Sequence, residues 1–97
     1  MIINKQTFEN INNKTFEISF DPKQATACEL IEVKGINSHT LKEGQVEPFS
    51  LVFQTTDKTI FEQNTYMVKN KELDETQLFL VPIGSDENGV RYEAVFT

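Results

Sequence analysis

The chain has 97 residues, the size of one domain, and we expect a single β domain over residues 1–97. Nine basic and fifteen acidic residues give a net charge of −6, and this negative field makes nucleic acid and anionic lipid unfavourable partners. The one cysteine excludes an internal disulfide and a cysteine zinc site. Eight phenylalanines can supply a core, because each buries roughly 150–250 Å².

We expect no targeting signal in the N-terminal residues. They lack the basic segment and the apolar run of a signal peptide. No stretch of the chain reaches the eighteen or so apolar residues that a membrane helix needs. We therefore expect a soluble, cytoplasmic protein. Within this region, Thr7 is placed to cap one short helical turn that begins at Phe8.

Two strands are predicted before the first long loop. Apolar and polar residues alternate from Thr15 to Phe20, which is the pattern of a half-buried strand, and Asp21 with Pro22 ends it. Residues 27–36 predict a second strand. Its apolar side changes in mid-strand, and a β-bulge between Leu30 and Ile31 is one explanation of the change, because one extra residue reverses the side-chain parity.

The middle of the chain predicts a long loop and two further strand regions. Residues 35–47 have the polar composition of a connection. Residues 48–55 follow as a strand whose apolar residues mostly face one way: Phe49, Leu51 and Phe53. Residues 59–69 are predicted as a kinked strand, or as two short strands, because the polar residues 62–64 interrupt the apolar pattern.

Residues 78–96 predict two strands joined by a short acidic turn. With Asn88 and Gly89 as a type I′ turn, Asp86 lies opposite Arg91, a favourable charge pair. This register places six side chains on one face: Phe79, Val81, Ile83, Tyr92, Ala94 and Phe96. The reverse face carries Leu78, Leu80, Pro82 and Val95. Because both faces are apolar, we expect both to be covered, inside a barrel-like fold or at an interface.

These elements together predict an all-β fold. Six to seven short strands occur at regular spacing, and no amphipathic helix of ten or more residues accompanies them. The expected architecture is a small, single-domain antiparallel barrel or sandwich that ends in the C-terminal β-hairpin.

Four candidate chemical sites have simpler structural explanations. His39 is a general base, a metal ligand or a solvated loop residue, and the last is favoured because no orienting partner is identifiable. Cys28 is a nucleophile or a buried structural thiol, and the adjacent Glu29 favours the structural role, because a carboxylate raises a thiol pKa. Residues 85–89 lack the ligand spacing of a calcium loop, which favours an acidic hairpin tip, and residues 72–75 are most simply a solvated turn. A catalytic carboxylate pair could come from any two of the fifteen acidic residues, and nothing in the sequence selects one. We predict no catalytic residue, metal or cofactor, and a protein that is not an enzyme.

A binding hypothesis places a small ligand inside the barrel. Four aromatic residues would line the pocket: Phe49, Phe53, Tyr66 and Tyr92. The candidate ligand-binding residues are Gln63, Tyr66, Arg91 and Tyr92. For Gln63 and its two neighbours, the simpler explanation is that polar side chains satisfy backbone groups at a strand kink.

Four sequence blocks occur in a recognisable order: EPFSLVF at 47–53, QNTY at 63–66, LFLVPIG at 78–84 and RYEAVF at 91–96. Together they resemble a family of small bacterial proteins known only as a domain of unknown function, and the Thr15–Phe16 region resembles its N-terminal strand. The resemblance spans most of the chain and implies no catalytic residues. The family often has Arg, Pro, Gly and a His-Pro turn where this chain has Val46, Glu62, Asn64 and Asn70–Lys71.

Genes of this family often lie near those for tail-collar or tail-fibre-like proteins. The resemblance therefore implies an accessory, structural or assembly protein. The residues favour the same class: a non-enzymatic interaction module that binds a protein partner, or a second copy of itself as a homo-oligomer, through its β surface. The alternative is the small-ligand-binding barrel. An enzyme that uses acidic residues is a third hypothesis, which the absent motifs disfavour.

Overall fold

In the part of the chain that the structure describes, six antiparallel strands close into a barrel, and one short helix precedes them. The computed structural model describes residues 4–36 and 48–96. The elements are α1 (Lys5–Glu9), β1 (Thr15–Asp21), β2 (Gln24–Gly35), β3 (Phe49–Thr55), β4 (Asn64–Asn70), β5 (Leu73–Asp86) and β6 (Gly89–Phe96). Strands pair in the order β1-β2-β3-β6-β5-β4, and β4 returns to β1. The predicted all-β antiparallel fold is confirmed, as a six-stranded barrel rather than a sandwich.

Helix α1 lies at the end of the barrel where β1 begins and β6 ends, which we call the helix end. The Asn4 side chain accepts a hydrogen bond from the Thr7 backbone amide at 2.9 Å. The Thr7 hydroxyl accepts one in turn from the Asn4 backbone amide, and the two bonds form a capping box. The predicted helical turn is confirmed, but its cap is Asn4, and Thr7 lies inside the first turn. The buried ring of Phe8 has its centroid 5.9 to 6.3 Å from three other rings: Phe16, Phe49 and Phe96.

Strands β1 and β2 follow the predicted pattern. A two-residue turn joins them, so that Asp21 pairs with Gln24. The pairing of β2 with β3 shifts register between Leu30 and Glu32, which confirms the predicted bulge at Ile31. The alternate residues of β1 point into the barrel, as expected: Phe16, Ile18 and Phe20.

Residues 56–63 form an irregular segment, which we call the crossing segment. It runs from the end of β3 to the start of β4, and these strands are not neighbours in the barrel, so the connection passes over the barrel opening. Phe61 in this segment stacks on Phe20 with 4.7 Å between ring centroids and 2° between ring planes. The segment therefore closes the end of the barrel opposite α1, which we call the crossing end.

The prediction of a strand over residues 59–63 was wrong, because β4 starts only at Asn64. The backbone of the crossing segment bonds to side chains rather than to a neighbouring strand. The Asp57 carboxylate accepts from the Thr59 amide at 2.8 Å, and the Tyr92 hydroxyl accepts from the Phe61 amide at 3.0 Å. Phe61 covers the core without entering the sheet, whereas Ile60 is exposed to solvent.

The last hairpin forms, but its predicted register is wrong. The turn residues are Glu87 and Asn88, so that Asp86 pairs with Gly89, whose φ is +129°. The pairing of β5 with β6 also shifts register between Pro82 and Gly84, which leaves Ile83 as an extra residue in β5. Asp86 and Arg91 are not opposite one another, yet their side chains form the expected ion pair at 3.2 Å.

The extra residue at Ile83 reverses the parity of β5 relative to β6. The predicted row that joined Phe79 to Tyr92 therefore does not exist. Phe79 and Val95 both point out of the barrel, and the side chains that share the interior are Leu78, Leu80, Val90, Tyr92 and Ala94. One apolar face of the hairpin is thus buried in the barrel, and the other lies on its outer surface.

Side chains close the seam between β1 and β4. The backbone ladder there has two residue pairs, Glu17 with Lys69 and Ile18 with Val68. Beyond this ladder, the side-chain amide of Asn70 donates to the backbone carbonyl oxygens of Asn13 at 2.8 Å and Thr15 at 3.0 Å. The Glu72 carboxylate accepts from the backbone amides of two further residues: Asn12 and Asn13.

Candidate functional site

Two of the four predicted ligand-binding residues meet at the crossing end. The rings of Tyr66 and Tyr92 lie 4.8 and 4.7 Å from that of Phe20. The Tyr66 hydroxyl donates to the Glu62 carbonyl at 2.6 Å, and the Tyr92 hydroxyl binds the Phe61 amide. Burial raises the pKa of both tyrosines, so both hydroxyls stay protonated. Both hydroxyls hold the crossing segment in place.

The other two predicted residues lie elsewhere. Gln63 is exposed at the last position of the crossing segment. Arg91 lies between the inward-facing Val90 and Tyr92, so its side chain points outward, where it binds Asp86. The structure therefore gathers the two tyrosines but not the two polar residues. A binding role for the four stays a prediction.

The remaining predicted pocket residues belong to the filled interior. Phe49 stacks on Phe96 at 4.4 Å, at the helix end, whereas Phe53 packs edge-on against Phe16 at 5.1 Å. All four rings are buried or largely buried among one another. Among the described residues, every buried side-chain nitrogen or oxygen has a hydrogen-bond partner. This interior is packed as a core.

Cys28 is buried in β2, as predicted for a structural thiol. Burial raises its pKa from 9.0 to about 12, so the nucleophilic thiolate is not formed at neutral pH. His39 lies outside the described residues. Within residues 4–36 and 48–96, no three His, Cys, Asp or Glu side chains are grouped to hold a metal ion. The helix found in the same ranges has five residues, and no described helix is long and apolar enough to cross a bilayer.

At the acidic hairpin tip, the Asp86 carboxylate is hydrogen-bonded within the hairpin. One oxygen of Asp86 accepts from the Asn88 amide at 2.8 Å, and the other binds Arg91 at 3.2 Å. The Asn88 amide, followed by Arg91, lowers the pKa of Asp86. These bonds fold the tip as an Asx turn and pair it with Arg91.

A surface cleft of about 460 Å³ lies along the β1–β4 seam. Its lining is polar and of mixed charge: Asn13, Thr15, Glu17, Lys69, Asn70 and Lys71. The Asn70 amide and the Glu72 carboxylate beside the cleft are engaged with the backbone. Lys69 pairs with Glu75 at 3.8 Å. The polar groups here close the barrel, which accounts for their placement.

The outer side of β5 and β6 carries several large apolar side chains. Phe79, Ile83 and Val95 expose 54%, 48% and 53% of their surface, although they are large hydrophobic side chains in regular strands. Val81 of β5 and Val52 of β3 flank Glu93 in the same sheet, and Val52 is buried without belonging to the core cluster. We call this surface the outer apolar face, and its residues are Val52, Phe79, Val81, Ile83 and Val95.

Sequence reasoning found the components of the outer apolar face but not their arrangement. It expected apolar residues on both sides of the hairpin, which the structure confirms. It placed Phe79 and Val95 on opposite sides, whereas both point out of the barrel. Leu78 and Leu80 could have indicated the correct arrangement. These two leucines share the interior with Tyr92 and Ala94 only if β5 carries an extra residue.

The fold and the surface define a class: a closed six-stranded antiparallel barrel with a filled interior, plugged ends and an apolar outer face. The chain belongs to the DUF6916 family, a domain of unknown function, whose profile matches residues 3–96. No curated protein and no solved structure matches the chain.

Proposed function

We propose that this protein is a non-enzymatic interaction module that docks a partner protein on its outer apolar face. The observation that carries the proposal is the exposure of Phe79, Ile83 and Val95 on a barrel whose interior is already filled. Strands that serve only a core need apolar side chains on one face and polar ones on the other. Large apolar side chains gathered on the outside are the usual mark of a protein-binding surface.

The closed barrel also favours docking by a face rather than by an edge. Each of the six described strands has a hydrogen-bonded neighbour on both sides, so none of them is an edge strand that an incoming peptide could extend. A partner must therefore bind to side chains. The sheet of β5, β6 and β3 presents those side chains on a supported surface, which reduces the entropy lost on binding.

A role in assembly agrees with the sequence resemblance. The blocks from residue 47 to residue 96 resemble a family whose genes often lie near those for tail-collar or tail-fibre-like proteins. An accessory protein of such a system works through contacts with other proteins. We extend the proposal to this setting, as an accessory or assembly protein of a tail-like system.

The small-ligand barrel has less support. Such a barrel needs a cavity with free polar groups, whereas the rings of Phe20, Tyr66 and Tyr92 contact one another. Both tyrosine hydroxyls are already bonded to the crossing segment. An acid-using enzyme has less support still, because the carboxylates of Glu72 and Asp86 are bound within the fold.

Affinity purification from the native cell with quantitative mass spectrometry tests the proposal. The bait is the wild type, the double variant Phe79→Ser/Val95→Ser, or the control Ile60→Ser. Ile60 is 60% exposed in the crossing segment, outside the outer apolar face. We expect one protein to be retained by the wild type and by Ile60→Ser but lost with the double variant. Equal recovery with all three baits contradicts docking on this face.

A further inference from the structure

Glu93 lies inside the outer apolar face. It pairs with Val52 of β3 on one side and with Val81 of β5 on the other. Its neighbours at i−1 and i+1, Tyr92 and Ala94, point into the barrel, so Glu93 points outward. A half-buried carboxylate is thus set among the apolar side chains that we propose as a docking surface.

The charge of Glu93 is not balanced by the described part of the chain. Arg91, two residues away on the same side of β6, is bound to Asp86 at 3.2 Å. On the far side of Val52 stands Glu32, a second carboxylate. The Glu93 carboxylate has neither a hydrogen bond nor an ion pair with any described residue.

A partner that covers this face with apolar side chains alone would bury Glu93 without a counter-charge. Burying an unpaired carboxylate costs more than the surrounding apolar contacts return, whereas a paired one is tolerated. On the basis of the proposed function, we infer that the partner is a different protein that brings a lysine or arginine into the middle of its apolar patch to meet Glu93. Arginine fits best, because it is weakly hydrated and binds a carboxylate with two parallel hydrogen bonds.

A second copy of this chain does not meet the requirement. In a two-fold dimer the same surface faces itself, so one interface would cover both Glu93 carboxylates, and Arg91, the basic residue beside Glu93 on β6, is already bound to Asp86. The two molecules would also approach with a charge of −6 each. Glu93 therefore acts against self-association as well as in favour of a cationic partner.

Two measurements test the inference with defined probes. Sedimentation equilibrium of the wild type alone measures self-association. A yeast-displayed library of random peptides is then selected against the wild type, and the selected peptides are compared on four variants: Phe79→Ser, Glu93→Gln, Glu93→Lys and Glu29→Gln. Glu29 is an exposed carboxylate of β2, and its variant has the same net charge as Glu93→Gln, so it is the matched control.

We expect a monomeric wild type. We expect selected peptides that lose binding on Phe79→Ser and share one Arg or Lys among apolar residues. Their affinity falls at least about tenfold on Glu93→Gln and further on Glu93→Lys, and is unchanged on Glu29→Gln. Peptides that depend on Phe79 but lack a shared cation and ignore Glu93→Gln would overturn the inference and leave the docking proposal standing.

The remaining outcomes also decide the question. A wild-type dimer that Phe79→Ser dissociates shows that the face binds a second copy, which overturns the inference but not docking. If no selected peptide depends on Phe79, the docking proposal and the inference fail together.

Discussion

Gly89 at the start of β6 lies against the backbone carbonyl of Thr55 at the end of β3. A β-carbon at Gly89 would come within 1.9 Å of the Thr55 carbonyl oxygen, far inside van der Waals contact. The φ of Gly89 is +129°, where residues with a side chain are strained. The Thr55 hydroxyl meanwhile accepts from the Val90 amide at 3.3 Å. This close approach sets the register of the last hairpin against β3.

Gly89→Ala is therefore expected to destabilise the protein by about 3 kcal/mol or more, from backbone strain and overpacking together. The matched control is Gly84→Ala, because a β-carbon there meets only the flexible guanidinium of Arg91, at 3.0 Å. We expect less than about 1 kcal/mol for the control. Urea unfolding measures both values, and equal values would refute the role given to the Thr55 contact.

Phe8 holds α1 on the helix end of the barrel. Its ring is buried against Phe16, Phe49 and Phe96. Phe8→Ala should lower the free energy of unfolding by about 3–5 kcal/mol, because it opens a cavity among these rings. Phe79→Ala removes the same side chain from the outer apolar face and should cost less than about 1 kcal/mol. A large loss with Phe79→Ala would mean that Phe79 serves the fold, which contradicts its assignment to docking.

Tyr92→Phe tests how the crossing segment is held. The variant keeps the buried ring but removes the hydroxyl that accepts from the Phe61 amide at 3.0 Å. We expect a loss of about 1–3 kcal/mol and faster hydrogen exchange of the Phe61 amide. Unchanged exchange of that amide would show that the segment does not depend on Tyr92.

Cys28 gives a pH-dependent prediction. Its pKa is raised from 9.0 to about 12 in the folded protein, by burial. Because the folded state prefers the neutral thiol, its contribution to stability is fully present below pH 9 and is lost as the pH rises towards 12. Tyr66 and Tyr92 have raised pKa values and act in the same direction. Thermal unfolding between pH 8 and 11 should therefore show a smaller loss of stability in Cys28→Ala than in the wild type, and identical slopes would contradict the assignment.

The alternation of apolar and polar residues predicted β1 and β2 correctly. The burial of Phe16, Ile18 and Phe20 and the bulge at Ile31 are confirmed, because both follow from side-chain parity alone. The residues 59–63 were mistaken for strand, because Ile60 and Phe61 are apolar and β-prone. Their position was decided by a distant contact, the stacking of Phe61 on a ring of β1.

The hairpin register could not be predicted for a similar reason. Asn88 and Gly89 form a strong local turn signal, but the contact of Gly89 with Thr55 joins residues far apart in sequence. The extra residue at Ile83 then reverses β5 against β6. The outer apolar face follows from that reversal, so it became visible only once the strands were placed. The ion pair of Asp86 with Arg91 forms in either register, because the arginine side chain is long enough to reach the carboxylate from a neighbouring position.

The central claim is that the outer apolar face binds a partner protein. Photo-cross-linking tests it most directly, with p-benzoylphenylalanine at position 79 or, as a control, at the similarly exposed position 60, in the native cell. Our account requires one discrete cross-linked species from position 79 that is absent from position 60 and disappears when Val95→Ser is added. No species from position 79, or the same set from both positions, would contradict it.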